Sequence, residues 1–278
     1  MIFEKWQGCG NDFVMVDCFA ETINIADCAD ISRNVCNRHY GVGADGLILI
    51  LPSDKADLCM RIFNADGSEA EMCGNGIRCF AKMAYEHKRI NKTEFTVETG
   101  AGILVPKLFV ENGKVVNICV DMGKPILEPD RIPVNIDGEG NKVVGEPIEV
   151  FGETYDMTCV SMGNPHCVLF FETLSGLSIE KLGPVIERHD VFPKKTNVEF
   201  VEVRDRSHLR MRVWERGAAV TLACGTGACA TLTAAVLNDL AERKAEIELD
   251  GGRLVVEWRD DDHLYMTGPA EYVFSGKY

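Results

Sequence analysis

The sequence lacks an excess of basic residues, a long apolar run and a recognisable export signal. Among its 278 residues are 29 Lys and Arg against 43 Asp and Glu, giving a formal charge of −14. Proteins that bind nucleic acid present a basic stripe to the phosphate backbone, so this balance argues against that class. No segment approaches the roughly 18 apolar residues needed to span a bilayer, and MIFEKWQGCGNDF has no basic segment followed by an apolar run. We therefore expect a cytoplasmic protein that binds neither nucleic acid nor a membrane.

Closely spaced cysteine pairs are also missing, although the chain contains 12 cysteines. A zinc site would require C-x₂-C pairs, and a disulfide framework is typical of small secreted chains. We therefore expect reduced thiols and no metal site. Most of these cysteines should be small core residues, so any catalytic ones must be identified by their context.

The two halves of the sequence resemble each other. MRIFNADGSEAEMCGNG, which contains Cys73, aligns without a gap on MRVWERGAAVTLACGTG, which contains Cys224, at an offset of 151 residues. Upstream, GCGNDFVMVD resembles SMGNPHCVLF, which places Asn11 opposite Asn164 at an offset of 153 residues. An Arg-His dipeptide lies between the two segments in each half. Three matches in the same order indicate an internal repeat.

The repeat predicts an α+β fold with two pseudo-symmetric halves, residues 1–119 and 120–269. A strand-like segment, LCMRIFN or LRMRVWE, precedes each Cys-Gly-x-Gly. A helix follows each, the first from Ile77 to Lys88-Arg89 and the second, apolar almost all round, from Ala228 to Leu240. We expect each half to be a curved mixed or antiparallel sheet around its central helix, with the active site in the cleft between the halves. The further predicted strands are residues 95–99, 115–122, 198–203, 246–249, 254–258 and 264–267.

Each half places a cysteine immediately before a helix. A helix start presents unpaired N–H groups and the positive end of the macrodipole, which lower the pKa of a thiol and can bind a carboxylate. Two facing helix starts would hold one carboxylate, with a thiol on either side of the carbon that bears it. Cys73 and Cys224 would then invert a stereocentre, one thiolate removing the α-proton while the other thiol supplies a proton.

A single cysteine before glycine is more often a packed turn residue, and it is the duplication that favours catalysis. Cys79 and Cys229, one turn further along, are expected to pack inward. No signature of a Schiff-base lysine or a metal cluster is apparent, so we expect the chemistry to need no cofactor.

Polar residues accompany both cysteine motifs. His166 could adjust the pKa of a thiol, although a lone histidine is as often a core residue. Glu215 occupies the repeat position of Asn64 and precedes Arg216. A Glu-Arg pair in a buried strand would be costly unless it bound something, so we favour a ligand role. Four asparagines could form a polar collar because the amide both donates and accepts: Asn11, Asn64, Asn164 and Asn197.

Five segments in order resemble the diaminopimelate epimerase family over essentially the whole chain: GCGNDFVMVD, RIFNADGSEAEMCGNGIRC, GNPHCV, TNVEF and WERGAAVTLACGTGACA. The resemblance implies a homodimeric enzyme that interconverts LL- and meso-diaminopimelate, for lysine and peptidoglycan synthesis, without pyridoxal phosphate. It implies that Cys73 and Cys224 are base and acid, that His166 and Glu215 adjust them, and that residues 270–278 return to the first domain. The substrate-binding residues that it implies are Asn11, Asn64, Gly74, Asn75, Asn164, Asn197, Glu215, Arg216, Gly225 and Thr226.

One departure and three alternatives stay open. Some family members have Gln in the loop that reads GVGADG here, where this chain has Ala44 and Gly46. A proline racemase or hydroxyproline epimerase would share the cysteine pair, but proline has no second carboxylate for Arg216 to bind. A thiol-based redox or metal-binding protein is disfavoured by the missing C-x₂-C pairs. A binding protein with an inactive site would lack one of the two cysteines, and both are present.

Overall fold

A computed structural model describes residues 1–136 and 140–278, which form two compact units. The first unit comprises residues 1–121 and 267–278, and the second comprises residues 122–266. Each unit contains a mixed sheet and one long helix, so the predicted α+β fold with two similar halves is confirmed.

The sheet of the first unit has the order β19-β1-β2-β3-β4-β6-β7, with the short β5 beside β4. Strands β8 and β9 form an antiparallel pair that is not part of this sheet. Its interior strands are almost fully buried, because β2 and β3 are runs of large apolar residues. The strands are β1 (Ile2–Gly8), β2 (Asn11–Asp17), β3 (Gly46–Leu51), β4 (Leu58–Asn64), β5 (Glu69–Ala70), β6 (Val97–Thr99), β7 (Gly102–Leu104), β8 (Lys107–Glu111), β9 (Lys114–Asp121) and β19 (Glu271–Lys277).

The sheet of the second unit has the order β10-β11-β12-β13-β14-β16-β17-β18, with β15 beside β14. It repeats the arrangement of the first, because β2 and β3 are a parallel pair, as are β12 and β13. The strands are β10 (Glu146–Val150), β11 (Glu153–Ser161), β12 (Pro165–Phe171), β13 (Asn197–Asp205), β14 (His208–Glu215), β15 (Ala219–Thr221), β16 (Lys244–Leu249), β17 (Gly252–Trp258) and β18 (Leu264–Gly268).

Two 13-residue helices, α2 (Gly74–Glu86) and α4 (Gly225–Leu237), are the central helices of their units. Helix α2 packs against β1, β2, β3, β4 and β9, and α4 packs against β11, β12, β13, β16 and β17. Of two shorter helices, α1 (Cys28–Val35) packs against β3 and β4, and α3 (Ile179–Glu187) packs against β13 and β14. Within the described residues, no helix is long and apolar enough to cross a membrane.

The predicted bounds of both central helices were wrong by about a turn. The first begins at Gly74 and ends at Glu86, before Lys88-Arg89, because Lys88 has a positive φ of 57°. The second runs from Gly225 to Leu237 rather than from Ala228 to Leu240, and Asp239 has a φ of 55°. Each Gly-x-Gly therefore belongs to the first helical turn, which brings the unpaired N–H groups closer to the cysteine than the sequence suggested.

Candidate active site

Cys73 is the N-cap residue of α2. Its backbone is extended, with φ −141° and ψ 120°, and its sulfur accepts the backbone N–H of Gly76 at 3.4 Å. A Cβ at Gly76 would lie 2.9 Å from Cδ1 of Ile48, so the helix packs closely against β3 at this glycine. The first turn of α2 thus supports the sulfur with a backbone donor.

Cys224 caps α4 in the same way. Its φ is −128° and its ψ is 111°, and its sulfur accepts the N–H of Gly227 at 3.3 Å. A Cβ at Gly227 would lie 2.8 Å from a carboxylate oxygen of Glu199, which occupies the place that Ile48 takes under Gly76. The two helix starts therefore have equivalent backbones over different side chains.

The electrostatics around Cys224 differ from the sequence expectation. Burial raises the pKa of its thiol well above the ordinary value, and the carboxylates of Glu215 and Glu199 raise it further. The hydroxyl of Thr226 and the N–H of Gly227 act in the opposite direction but do not overcome this. The N–H of the helix start thus lowers the pKa of the Cys224 thiol as expected, but desolvation and two nearby carboxylates outweigh it.

Asn11 joins Cys73 to the polar surface of the first unit. Its amide oxygen accepts the Cys73 thiol at 3.6 Å and Nδ2 of Asn75 at 3.1 Å. Its Nδ2 donates to Asp45 at 2.6 Å, and Asp45 in turn accepts Nη2 of Arg38 at 2.7 Å. Three predicted site residues, Asn11, Cys73 and Asn75, are thereby brought together.

A second polar group adjoins Cys224. Its sulfur lies 3.4 Å from Oγ1 of Thr226, which accepts Nδ2 of Asn164 at 3.3 Å. The amide oxygen of Asn164 lies 3.1 Å from Nε2 of His166, and Nδ1 of the same ring lies 2.7 Å from Oε1 of Glu199. Sequence reasoning found the first four of these residues and missed Glu199.

The remaining predicted residues lie around this group, and two of them differ from expectation. Asn197 is buried, donates to the carbonyl of Pro165 and accepts the backbone N–H of Arg216 at 2.8 Å. Glu215, the last residue of β14, is only partly buried and accepts the hydroxyl of Thr221, while Arg216 follows the strand and is exposed. The prediction of a buried-strand Glu-Arg pair is therefore wrong, because the strand ends at Glu215.

Asn64 and the GVGADG loop complete the first unit's candidates. Asn64 is exposed at the end of β4, where its Nδ2 donates to Ser68 at 3.0 Å. Ala44 is buried, and a Cβ at Gly46 would lie 2.8 Å from the carbonyl oxygen of Phe63. Backbone packing thus leaves no room for a larger residue at Gly46.

Cys79 and Cys229 are fully buried one turn beyond the capping cysteines, as expected. Burial raises the pKa of Cys79 to about 12, which makes its thiolate scarce at neutral pH. Among the described residues, no group of three or more His, Cys, Asp or Glu is arranged to hold a metal ion.

Known proteins similar to this chain include diaminopimelate epimerases. The family model described as diaminopimelate epimerase matches residues 3–128 and 158–273. A diaminopimelate epimerase of Pelotomaculum thermopropionicum is 52% identical over 278 residues, covering 100% of this chain and 99% of that protein. One from Methanococcus maripaludis is 54% identical over 278 residues, with the same coverage.

Solved structures share the fold at low identity. A Bacillus anthracis phenazine biosynthesis protein of the PhzF family gives a TM-score of 0.74 at 18% identity, covering 100% of this chain and 98% of that one. A hydroxyproline epimerase from Agrobacterium vitis, solved with bound trans-4-hydroxy-L-proline, gives 0.68 at 15% identity, covering 100% and 90%. At such identities the likeness concerns the fold alone.

Proposed function

Because the chain belongs to the diaminopimelate epimerase family, we propose that it interconverts LL- and meso-2,6-diaminopimelate without a cofactor, as an isomerase of lysine and peptidoglycan-precursor synthesis. The observation that carries the proposal is the full-length match of 52–54% identity to diaminopimelate epimerases. The paired Cys-Gly-x-Gly helix starts supply a matching chemistry. In this proposal the protein acts in the cytoplasm and binds neither nucleic acid nor a membrane.

The reaction proceeds by two thiols acting on opposite faces of one α-carbon. One of Cys73 and Cys224 removes the α-proton as a thiolate, and the other donates its thiol proton to the opposite face. One sulfur gains a proton and the other loses one, so the reverse reaction starts from the product state. In the intermediate, the electron pair from the C–H bond is delocalised into the adjacent carboxylate.

The N–H groups of the two helix starts bind that carboxylate. Gly74 and Asn75 open α2, and Gly225 and Thr226 open α4, at positions whose N–H groups have no partner within their helices. Charge that develops on the carboxylate is stabilised by these donors, as in an oxyanion hole. This stabilisation grows with the negative charge and therefore lowers the barrier.

The other end of diaminopimelate carries a second carboxylate and ammonium. Arg216 is exposed and its guanidinium donates only one described hydrogen bond, to the carbonyl of Lys194. Its planar fork can pair with the distal carboxylate, and Glu215 can accept from the distal ammonium. Asn11, Asn64, Asn164 and Asn197 complete the binding set, and His166 with Glu215 adjusts the cysteines.

A homodimer is part of the proposal. The terminal strand β19 exposes Tyr272, Val273 and Phe274, and apolar side chains on an edge strand favour association. Sedimentation equilibrium should give twice the 30.7 kDa chain mass, whereas a concentration-independent monomer would contradict a dimer.

The activity is tested by incubating purified, extensively dialysed protein with LL-diaminopimelate and separating the stereoisomers. We expect meso product without added metal or pyridoxal phosphate, and no conversion of L-proline or trans-4-hydroxy-L-proline. Activity that disappears on dialysis and returns only with a cofactor would contradict the mechanism. Conversion of proline alone would point to the related racemases.

A further inference from the structure

A buried ionisable pair lies beneath Cys224 and has no counterpart beneath Cys73. The 153-residue offset that relates Asn11 to Asn164 relates Phe13 to His166, and the 151-residue offset between the cysteines relates Ile48 to Glu199. Strand register agrees, since Met15 pairs with Ile48 in the first unit and Val168 pairs with Glu199 in the second. The same two positions are thus apolar in one unit and ionisable in the other.

An ionisable pair in place of two buried apolar residues carries a desolvation penalty. His166 and Glu199 are both fully buried, and Oε2 of Glu199 has no hydrogen-bond partner within the described residues. A carboxylate removed from water costs several kcal/mol unless it is well paired. Phe13 and Ile48 show that apolar residues fill these positions in the other unit, so packing alone does not account for the pair.

The hydrogen bonds fix where the protons of the pair lie. Asn164 donates through Nδ2 to Thr226, which leaves its oxygen facing Nε2 of His166, so Nε2 carries a hydrogen. At the other side of the ring, Nδ1 and Oε1 of Glu199 are 2.7 Å apart. Two bare lone pairs would repel at that distance, so a second proton lies between these atoms.

We propose that Glu199 is a positioning residue for Cys224: by sharing a proton with His166 it fixes the hydrogen-bonded chain that runs through Asn164 and Thr226 to the sulfur. The proposal rests on the proposed function. Because one lone pair of the Thr226 oxygen accepts from Asn164, the hydroxyl can donate its own hydrogen to the Cys224 thiolate. When Cys224 is protonated, the same oxygen can accept from the thiol, so one side chain serves both protonation states.

The test replaces Glu199 by the residue of the other unit and by its neutral isostere. In Glu199→Ile, Nδ1 of His166 loses its partner and the chain is no longer fixed. We expect kcat to fall about tenfold or more with KM within about twofold, well short of the ~10⁴-fold loss at a triad aspartate whose histidine touches the reacting atoms. Glu199→Gln can still pair with Nδ1 and should retain kcat within about threefold.

A matched control uses another buried carboxylate of the same unit. Glu187 is buried and accepts Nε1 of Trp214 at 2.8 Å, so Glu187→Gln should leave kcat and KM unchanged. Should Glu199→Ile fail to fold, the double variant His166→Phe/Glu199→Ile copies the apolar pair of the first unit and decides the matter. Wild-type kcat in a folded Glu199→Ile or in the double variant would overturn the proposal.

Proton NMR gives a readout that does not require turnover. The hydrogen shared by His166 and Glu199 should produce a strongly downfield ring N–H resonance, lost in Glu199→Ile and in His166→Phe but kept in Glu187→Gln. A wild-type spectrum without this resonance would contradict the shared proton, whatever the enzyme's substrate. Inactivity of the wild type toward diaminopimelate would instead contradict the proposed function, so the two failures are distinguishable.

Discussion

Cys73 and Cys224 begin their helices with nearly the same backbone angles but lie over different side chains. Beneath Cys73 the sheet supplies Ile48, whereas beneath Cys224 it supplies Glu199, paired with His166. The partners beside the sulfurs differ as well, since Asn11 accepts from Cys73 and Thr226 contacts Cys224. A duplicated fold has thus kept the geometry of the helix start and changed its electrostatic surroundings.

The difference indicates how two thiols of one type can hold unequal roles. A two-base reaction needs one cysteine protonated and the other ionised when the substrate arrives. Burial and two carboxylates raise the pKa of Cys224, which favours the thiol there in the free enzyme. In the reaction that we propose, the two cysteines exchange the roles of acid and base between the forward and the reverse direction.

The largest effect is expected from removing either sulfur. Cys73→Ala and Cys224→Ala should each lower epimerisation at least ~10³-fold, because every turnover needs both an acid and a base. Cys18→Ala and Cys119→Ala serve as controls and should stay near wild-type activity in a stereoisomer-resolved assay. Near-normal turnover in either single variant would mean that the cysteine removed is not one of the acid–base pair.

Arg216→Lys tests whether a residue of the second unit binds the distal carboxylate of the substrate. The repeat places Asn64 opposite Glu215, so the first unit has no charged pair at this position. Lys cannot form the bidentate contact, and KM for diaminopimelate should rise about tenfold, or ~1.4 kcal/mol. Arg204→Lys, at an exposed ion pair with Glu248, should change nothing. Equal kinetics for both variants would remove Arg216 from the binding set.

Matched glycine substitutions compare the surfaces beneath the two cysteines. In Gly76→Ala the new methyl group meets the flexible end of Ile48, which can move aside, so we expect lower thermal stability and only a few-fold loss of kcat. In Gly227→Ala it meets the carboxylate held by His166 and the sulfur of Cys224 at 3.2 Å. For Gly227→Ala we therefore expect kcat to fall about tenfold. A larger loss of kcat in Gly76→Ala than in Gly227→Ala, measured in steady-state assays, would contradict different roles for Ile48 and Glu199.

The sequence repeat predicted much of this arrangement because both helix starts follow from one pattern. The sequence spacing alone identified the two cysteines, the glycines that follow them, and the correspondence of Asn11 with Asn164 in the repeat. The helix ends were harder to predict, because Lys88 and Asp239, which have positive φ, are not residue types that signal a helix end.

The sequence did not predict a role for Glu199, because a glutamate in a strand is ordinarily exposed. The alternation in NVEFV does not indicate which face of the strand is buried. The repeat held a signal that could have found it, since Glu199 aligns with Ile48 in the apolar run GLILIL. The exposure of Arg216 was missed for a related reason. Sequence periodicity did not reveal that β14 ends at Glu215, so the pair was placed inside the strand.

Isotope transfer during a single inversion tests the central claim most directly. LL-diaminopimelate is incubated with the enzyme in D₂O, and substrate and product are separated at low conversion for mass spectrometry. A two-thiol mechanism predicts one α-deuterium in the meso product and essentially none in recovered LL substrate, because the donor thiol has exchanged with solvent and the base returns only the proton it removed. Deuterium appearing equally fast in recovered substrate and product would mean that one group serves both faces, and would contradict the assignment of Cys73 and Cys224.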